Sequence, residues 1–229
     1  MVSSVKKELP HASIIELDFT ALPGQKMLLD ICKKRLSQEG IKLDQLTAAR
    51  YLNEKTFAQG FSSLCEAQGK QTVDVPTVVA ECQETFCEQI GNTMTKLPDG
   101  FLAFLDGLLA NEKVHVVLLT HAEKDKVLEA LGEERAKPNL SVMHNVSDHY
   151  ASLTWEVLRR VCRTDKLFER LTLAVMGSGL STRSAVTASM SVIAKICPET
   201  SYQDFTGSDL RIEEFSDSIL PRAFDLLRL

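Results

Sequence analysis

The sequence has no stretch approaching the ~18–20 consecutive apolar residues of a membrane-spanning helix. Its opening segment, Met1 to Pro10, is polar and lacks the apolar run of a secretion signal. These absences argue against membrane association and set a cytoplasmic location as the expectation. Positive charge is also in short supply: 26 Lys and Arg face 31 Asp and Glu, for a formal net charge of -5. Nucleic-acid surfaces are normally basic, so that class of partner is excluded, and mild acidity favours solubility. No two of the six cysteines (Cys32, Cys65, Cys82, Cys87, Cys162 and Cys197) have Cys-x-x-Cys spacing. Cys82 and Cys87 share a helical stretch without an accompanying His cluster, which argues against zinc. Reduced thiols filling space as small apolar side chains are expected. Internal repeats and low-complexity tracts are absent too.

What is present suits one large domain, or a domain with a sizeable insertion. Of 229 residues, 44% are apolar and 25% charged, enough to bury a core without disulfides. Ser13-Ile14-Ile15-Glu16-Leu17-Asp18 is short, β-branched and ends in acids, as a buried parallel strand delivering polar groups at its carboxyl end would. Pro23-Gly24 interrupts the chain. From Gln25 to about Thr95 the pattern is helical. Met27, Leu28, Ile31 and Leu36 recur at helical spacing and Gly40 stops them; Leu46, Tyr51, Leu52 and Phe57 follow; Pro76 opens a third run through Val78, Val79, Cys82, Phe86 and Ile90. The spacing predicts a helical subdomain over 23–94, inserted after the first strand.

The remainder alternates. Phe101, Phe104, Leu105, Leu108 and Leu109 give a helix with one apolar face, and Val114 to Thr120 reads as a central strand. A helix over Glu123 to Leu131, a short strand over Ser141 to Val146 and a helix over Ala151 to Val161 come next. Leu171 to Met176 is a strand ending in Gly177-Ser178-Gly179; a helix near Thr182 to Ala188 leads to a fifth strand, Met190 to Ile196. Trp155, with Val157, Leu158 and Val161, is expected in the core, Glu133-Glu134-Arg135 in a solvated turn, and Asp209 to Glu214 in a polar surface segment. Ile219, Leu220, Phe224, Leu226 and Leu227 are expected to dock a final helix, the alternative being an apolar patch for a partner. Strand–helix alternation predicts an α/β core of five or six parallel strands, Rossmann-like, built from 1–22 plus 95–229. Ligands of such sheets bind beyond the carboxyl ends of the strands, which singles out Glu16, Asp18, Thr20, Thr120, His121, the segment near His149, and Ser178 to Thr182.

This order of elements resembles the haloacid dehalogenase-like superfamily, in particular its members with a helical cap after the first strand. Family members open with Asp-x-Asp-x-Thr after that strand; here the place reads Glu16-Leu17-Asp18-Phe19-Thr20. A second signal, an apolar strand ending in Thr or Ser, is matched by Val116-Val117-Leu118-Leu119-Thr120, and Leu97-Pro98-Asp99-Gly100-Phe101 looks like the return from cap to core. The third signal, a Lys before a helix, falls on Asp148-His149-Tyr150-Ala151-Ser152, which contains none. The fourth, Gly-Asp-Ser followed by another Asp, reads Gly177-Ser178-Gly179-Leu180-Ser181-Thr182, with Ser178 and Thr182 at the acid positions.

The resemblance implies phosphoryl chemistry in which the first acid attacks phosphorus, the second transfers a proton, and carboxylates hold Mg²⁺. Glu16 and Asp18 would be the nucleophile and the acid–base; any metal would fall to that same pair, and no cofactor is expected unless the enzyme reading holds. Glu16 carries an extra methylene, moving the attacking oxygen by roughly 1 Å, a misplacement worth about 10²-fold in rate. Neutral hydroxyls at 178 and 182 do not replace anionic ligands. Two readings therefore stand side by side. In the first, the protein is a catalytically impaired relative binding a small anionic or phosphorylated molecule through Thr20, Thr120, His121, His149, Gly177, Ser178, Gly179, Thr182 and Arg183, or else a protein partner or a second copy of itself. In the second, it is a phosphatase or phosphotransferase that recruits acids such as Asp148 or Glu123. The metal-free dehalogenase branch tolerates Ser178 but still lacks its Asp at 16. Each singled-out residue also has a structural role open to it: Glu16 and Asp18 as strand-end polar groups satisfied by the protein, Thr120 as cap of the next helix, Gly177-Ser178-Gly179 as a tight turn, His149 as a solvated loop residue.

Overall fold

The computed structural model describes residues 11–52, 55–144 and 153–229. In chain order the elements are β1 (His11–Glu16), α1 (Leu17–Thr20), α2 (Gly24–Gln38), α3 (Gln45–Tyr51), α4 (Phe57–Ala67), α5 (Val75–Thr93), α6 (Asp99–Ala110), β2 (Val114–Thr120), α7 (Lys124–Leu131), β3 (Leu140–His144), α8 (Trp155–Asp165), β4 (Thr172–Met176), α9 (Gly179–Thr187), β5 (Ser191–Lys195), β6 (Leu210–Ile212) and α10 (Ile219–Leu227). The strands form one parallel sheet in the order β3-β2-β1-β4-β5-β6. β1 is central, with Glu16 opposite Leu119 of β2 and Ile15 opposite Val175 of β4. That register brings the ends of β1, β2 and β4 to one rim, where Glu16, Thr120 and Gly177 meet.

The central strands are apolar on both faces because helices cover both. Ile15, Val116, Leu118, Leu173 and Val175 join α6, α10 and the inserted helices in one buried cluster. Ile14, Val117, Leu119, Ala174 and Met176 point the other way, onto Leu158 and Val161 of α8 and Ala185 of α9. The inserted helices start on side-chain caps. Asp44 accepts from Thr47 N, Thr56 and Gln59 form a reciprocal capping box, and Asp74 accepts from Thr77 N with Pro76 in the first turn. No helix among the described residues is long and apolar enough to cross a membrane.

Four sequence expectations change. The first strand stops at Glu16 rather than Asp18, because Thr20 Oγ1 donates to Glu16 O at 2.8 Å and Ala21 N to Leu17 O at 3.0 Å, turning the chain into α1. The segment Asp209 to Glu214 contains edge strand β6: Ile212 is buried while Arg211 points outward, an alternation too short to stand out among flanking acids. Trp155 is not core. It begins the exposed side of α8, 38% accessible, with the Arg159 guanidinium 4.9 Å from its ring centre. Arg135 is less solvated than a turn residue, since its guanidinium is held by both oxygens of Asp106 at 2.8 Å. The final helix docks as expected, with Ile219, Ala223 and Leu227 buried.

Candidate functional site

Glu16 ends the central strand with its carboxylate under the start of α9. It is 4% exposed, Oε2 accepts from Gly177 N at 2.8 Å and Oε1 from the Ser181 hydroxyl at 2.9 Å. Ser181 is itself fully fixed: its hydroxyl oxygen also accepts from Leu153 N at 2.9 Å and lies 2.9 Å from Ser178 Oγ, which caps α9 by accepting from Ser181 N. Burial is the largest influence on the Glu16 carboxyl. It outweighs the Gly177 and Ser181 hydrogen bonds, and with the nearby Asp18 charge it pushes the pKa up to about 7.

Asp18, on the helical turn after β1, faces the end of β2. Thr120 Oγ1 donates to Oδ1 at 2.6 Å, His121 N donates to Oδ2 at 2.7 Å, and His121 Nδ1 lies 2.7 Å from that same oxygen. A carboxylate partner requires Nδ1 to be the protonated nitrogen. Thr120 Oγ1 in turn accepts from Ala122 N at 3.0 Å. Thr120 does not cap the next helix; Glu123 holds that position, because Thr120 is committed to Asp18.

Aromatic rings pack against His121 at this rim. Phe86 of α5, fully buried, stacks on Phe19 with ring centres 5.6 Å apart, and both rings meet the edge of His121, at 5.6 Å for Phe86 and 6.4 Å for Phe19. Through Phe86 the inserted helix α5 therefore touches both the turn after β1 and the residue that follows β2.

No protein-family model and no curated protein matches the sequence. Solved structures do match in shape. A phosphonoacetaldehyde hydrolase-like protein from Oleispira antarctica superposes with a TM-score of 0.70 at 13% identity, covering 96% of this chain and 93% of that one. A haloacid dehalogenase-type hydrolase of family IA, variant 3, from Entamoeba histolytica gives 0.69 at 13% identity, over 96% and 100% of the two chains. β-Phosphoglucomutase from Clostridium difficile gives 0.68 at 11% identity, over 95% and 98%. The chain has the haloacid dehalogenase-like fold, helical cap included.

On that fold the sequence-selected residues fall into four groups. Glu16, Asp18, Thr20, Thr120, His121, Gly177, Ser178 and Thr182 come together at the sheet's rim, and all but His121 and Gly177 carry side chains with almost no solvent contact. Gly179 opens α9, but its N–H donates to Gln203 Oε1 at 2.7 Å, just as Gly177 N donates to Glu16. The backbone donors of this turn thus face the protein's own groups. Arg183 lies on the exposed side of α9, near Asp204. His149, with Asp148, lies outside the described residues.

A magnesium ion does not fit this donor set. It needs oxygen ligands at about 2.0–2.1 Å in octahedral geometry. All four carboxylate oxygens of Glu16 and Asp18 already accept hydrogen bonds, and the Ser178 hydroxyl is tied to Ser181. Thr182 Oγ1 is buried without a partner, but it is a neutral oxygen. Among the described residues, no group of three His, Cys, Asp or Glu side chains is arranged to hold a metal.

Gly177 is glycine for a steric reason. A Cβ there would sit 2.4 Å from Phe19 O and 2.5 Å from Phe19 Cβ. Gly177→Ala is expected to push β4 off the β1 turn and to destabilise the protein by about 2–3 kcal/mol, read as a shifted denaturant midpoint at unchanged slope. Sequence reading missed three contributors: Ser181 as the partner of Glu16, Gln203 as the acceptor for Gly179, and Phe86 as the ring packed on Phe19 and His121. The Ser178-x-x-Ser181 spacing at a helix start was a readable cap signal. Phe86 carried none, because in sequence it is one more apolar position of a cap helix.

Proposed function

We propose that this chain is a non-catalytic protein on the haloacid dehalogenase-like fold, in which the reaction centre has become a polar lock joining sheet, α9 and cap. One observation carries the reading. Both motif carboxylates are buried with every oxygen hydrogen-bonded by the protein, and the His121 that bonds Asp18 is packed against Phe19 and Phe86. A nucleophile needs a free oxygen lone pair within reach of substrate and a route for substrate to arrive. Here the access is missing: Glu16 and Asp18 have almost no solvent contact, and each of their oxygens is already held by a donor of the protein. Removing a charge-stabilising donor from a working site typically costs about 10²–10³ in rate, and here the anionic metal ligands and the family Lys have no counterpart in the motif positions.

The role left to the protein is binding. Beside the lock, a groove of about 790 Å³ runs along the hinge between cap and core. Leu22, Pro23, Phe101 and Phe215 give it an apolar floor, and Lys26 and Lys195 are set against Glu199, Glu213 and Glu214. Two lysines against three glutamates leave the groove slightly acidic, and mixed charge on an apolar floor favours a protein segment over a free phosphate.

The test is a phosphomonoesterase panel of p-nitrophenyl phosphate and sugar phosphates, run with Mg²⁺, with Mn²⁺ and with chelator. The expected outcome is no metal-dependent turnover above background. Turnover near ~1 s⁻¹ or above on any ester, the ordinary enzyme range, refutes the proposal. Thermal shift with phosphate and sugar phosphates accompanies it. A shift below about 1 °C at millimolar ligand is expected, because stabilisation follows RT ln(1 + [L]/Kd) and weak ligands add little.

A further inference from the structure

The cap holds a pair of thiols that the polar lock does not use. Cys32 on α2 is fully buried and Cys82 on α5 is 2% exposed; the two thiols lie in the same helix–helix core, near enough for each to shift the other's ionisation. Only one of them meets solvent space. A cavity of about 210 Å³ opens between α2 and α5, lined by Ile31, Lys34, Arg35, Cys82, Thr85 and Gln89. Arg35 is anchored at its mouth by ion pairs to Glu39 and Glu81.

We propose that Cys82 and Cys32 form a peroxide-oxidisable pair, Cys82 attacking the oxidant from the cavity and Cys32 resolving the product into a disulfide between α2 and α5. The asymmetry of the pair assigns the roles. Cys82 lines the cavity; Cys32 does not and is fully buried. The electrostatics agree. The Cys82 thiol is held below its ordinary pKa by the Cys32 hydrogen bond first and by Arg35 as well, against burial and the Glu81 charge. The same contact and burial push Cys32 up. Burial also raises Cys65, and it pushes Cys162 up to about 11. Thiolate character favours Cys82 among these four, and Cys82 is the one that lines the cavity between α2 and α5.

The chemistry balances with hydrogen peroxide as oxidant. The Cys82 thiolate attacks one peroxide oxygen; the S–O bond forms, the O–O bond breaks, and the departing hydroxide takes a proton to become water. Cys32 sulfur then attacks the sulfenic sulfur; the S–S bond forms, the S–O bond breaks, and the leaving hydroxide takes the Cys32 proton. Two thiols and one peroxide give one disulfide and two waters. A disulfide holds its Cα atoms within about 7 Å, so the bond fixes α2 against α5 one helical turn from Phe86.

The test treats the full chain with hydrogen peroxide, quenches it, and alkylates remaining thiols under denaturation. Loss of two of the six free thiols is expected, with peptide mapping linking Cys32 to Cys82. Cys32→Ser is expected to stop the reaction at a Cys82 sulfenic acid trapped by dimedone, and Cys82→Ser to abolish the disulfide. Cys65 and Cys162 are expected to react at least about tenfold more slowly than Cys82. A disulfide between any other pair, or Cys82 left intact while Cys87 or Cys197 is consumed, overturns the proposal. If a serine variant does not fold, the map of the unaltered chain decides alone.

Discussion

Replacing Glu16 with Gln is expected to make the protein more stable above neutral pH and to flatten its stability profile between about pH 5 and pH 8. The folded chain holds the Glu16 carboxyl at about 7, against an ordinary value of 4.5. The protonated form is therefore favoured on folding. Below about pH 4.5 the group is protonated in both states and its contribution is fully present. As pH rises the unfolded chain releases the proton first, and the contribution is lost as pH passes through about 7. The difference amounts to roughly 3 kcal/mol over that window. Gln cannot ionise, keeps an oxygen for Gly177 N, and offers an N–H to Ser181, whose hydroxyl can turn toward Ser178. The quantity to measure is the stability of Glu16→Gln minus that of the parent, from urea unfolding at several pH values. It should rise by about 3 kcal/mol from pH 5 to pH 8. A flat or falling difference means the carboxylate is stabilised as an anion, as a metal ligand would be.

The second large effect is at Phe86. Phe86→Ala is expected to destabilise the protein by about 3–5 kcal/mol, the usual range for truncating a fully buried aromatic ring. It removes one ring of the Phe19 stack and the edge contact to His121. Water should then reach Asp18, and the His121 amide, which donates to Asp18 Oδ2 at 2.7 Å, should exchange its hydrogen faster than in the parent. A cap that swings open in the resting state gives a different result: Phe86 would be in water much of the time, and truncation would cost less than about 1 kcal/mol.

Both expectations concern contacts between residues far apart in the chain, which marks the limit of what the sequence displayed. The sheet was legible because Val116 to Leu119 and Leu173 to Met176 are apolar on both faces, and only a parallel strand under two helix layers needs that. The cap was legible from helical spacing with no strand pattern from Gln25 to about Thr95. Strand β6 was not, since three residues between Asp209 and Glu213 are too few for an alternation to register. Trp155 misled because its size argues for burial, while its place at the first turn of α8 leaves it beside Arg159 at the surface. At the site, the identities of Glu16, Asp18, Thr120 and Ser178 were readable from their positions at strand ends. Their partners were not. Glu16 and Ser181 are 165 residues apart, and nothing local in either segment says that one satisfies the other. The elevated Glu16 pKa follows from burial where the end of β1 meets the start of α9, so it too belongs to the tertiary structure.

The most direct measurement is a crystal structure of the protein soaked with Mg²⁺ and a phosphate mimic such as vanadate. The expected density shows Glu16 still bonded to Gly177 N and Ser181 Oγ, Asp18 still bonded to Thr120 and His121, and neither metal nor anion between them. An octahedral magnesium bridging the two carboxylates, with Gly177 and Thr120 released from them, would contradict the polar lock.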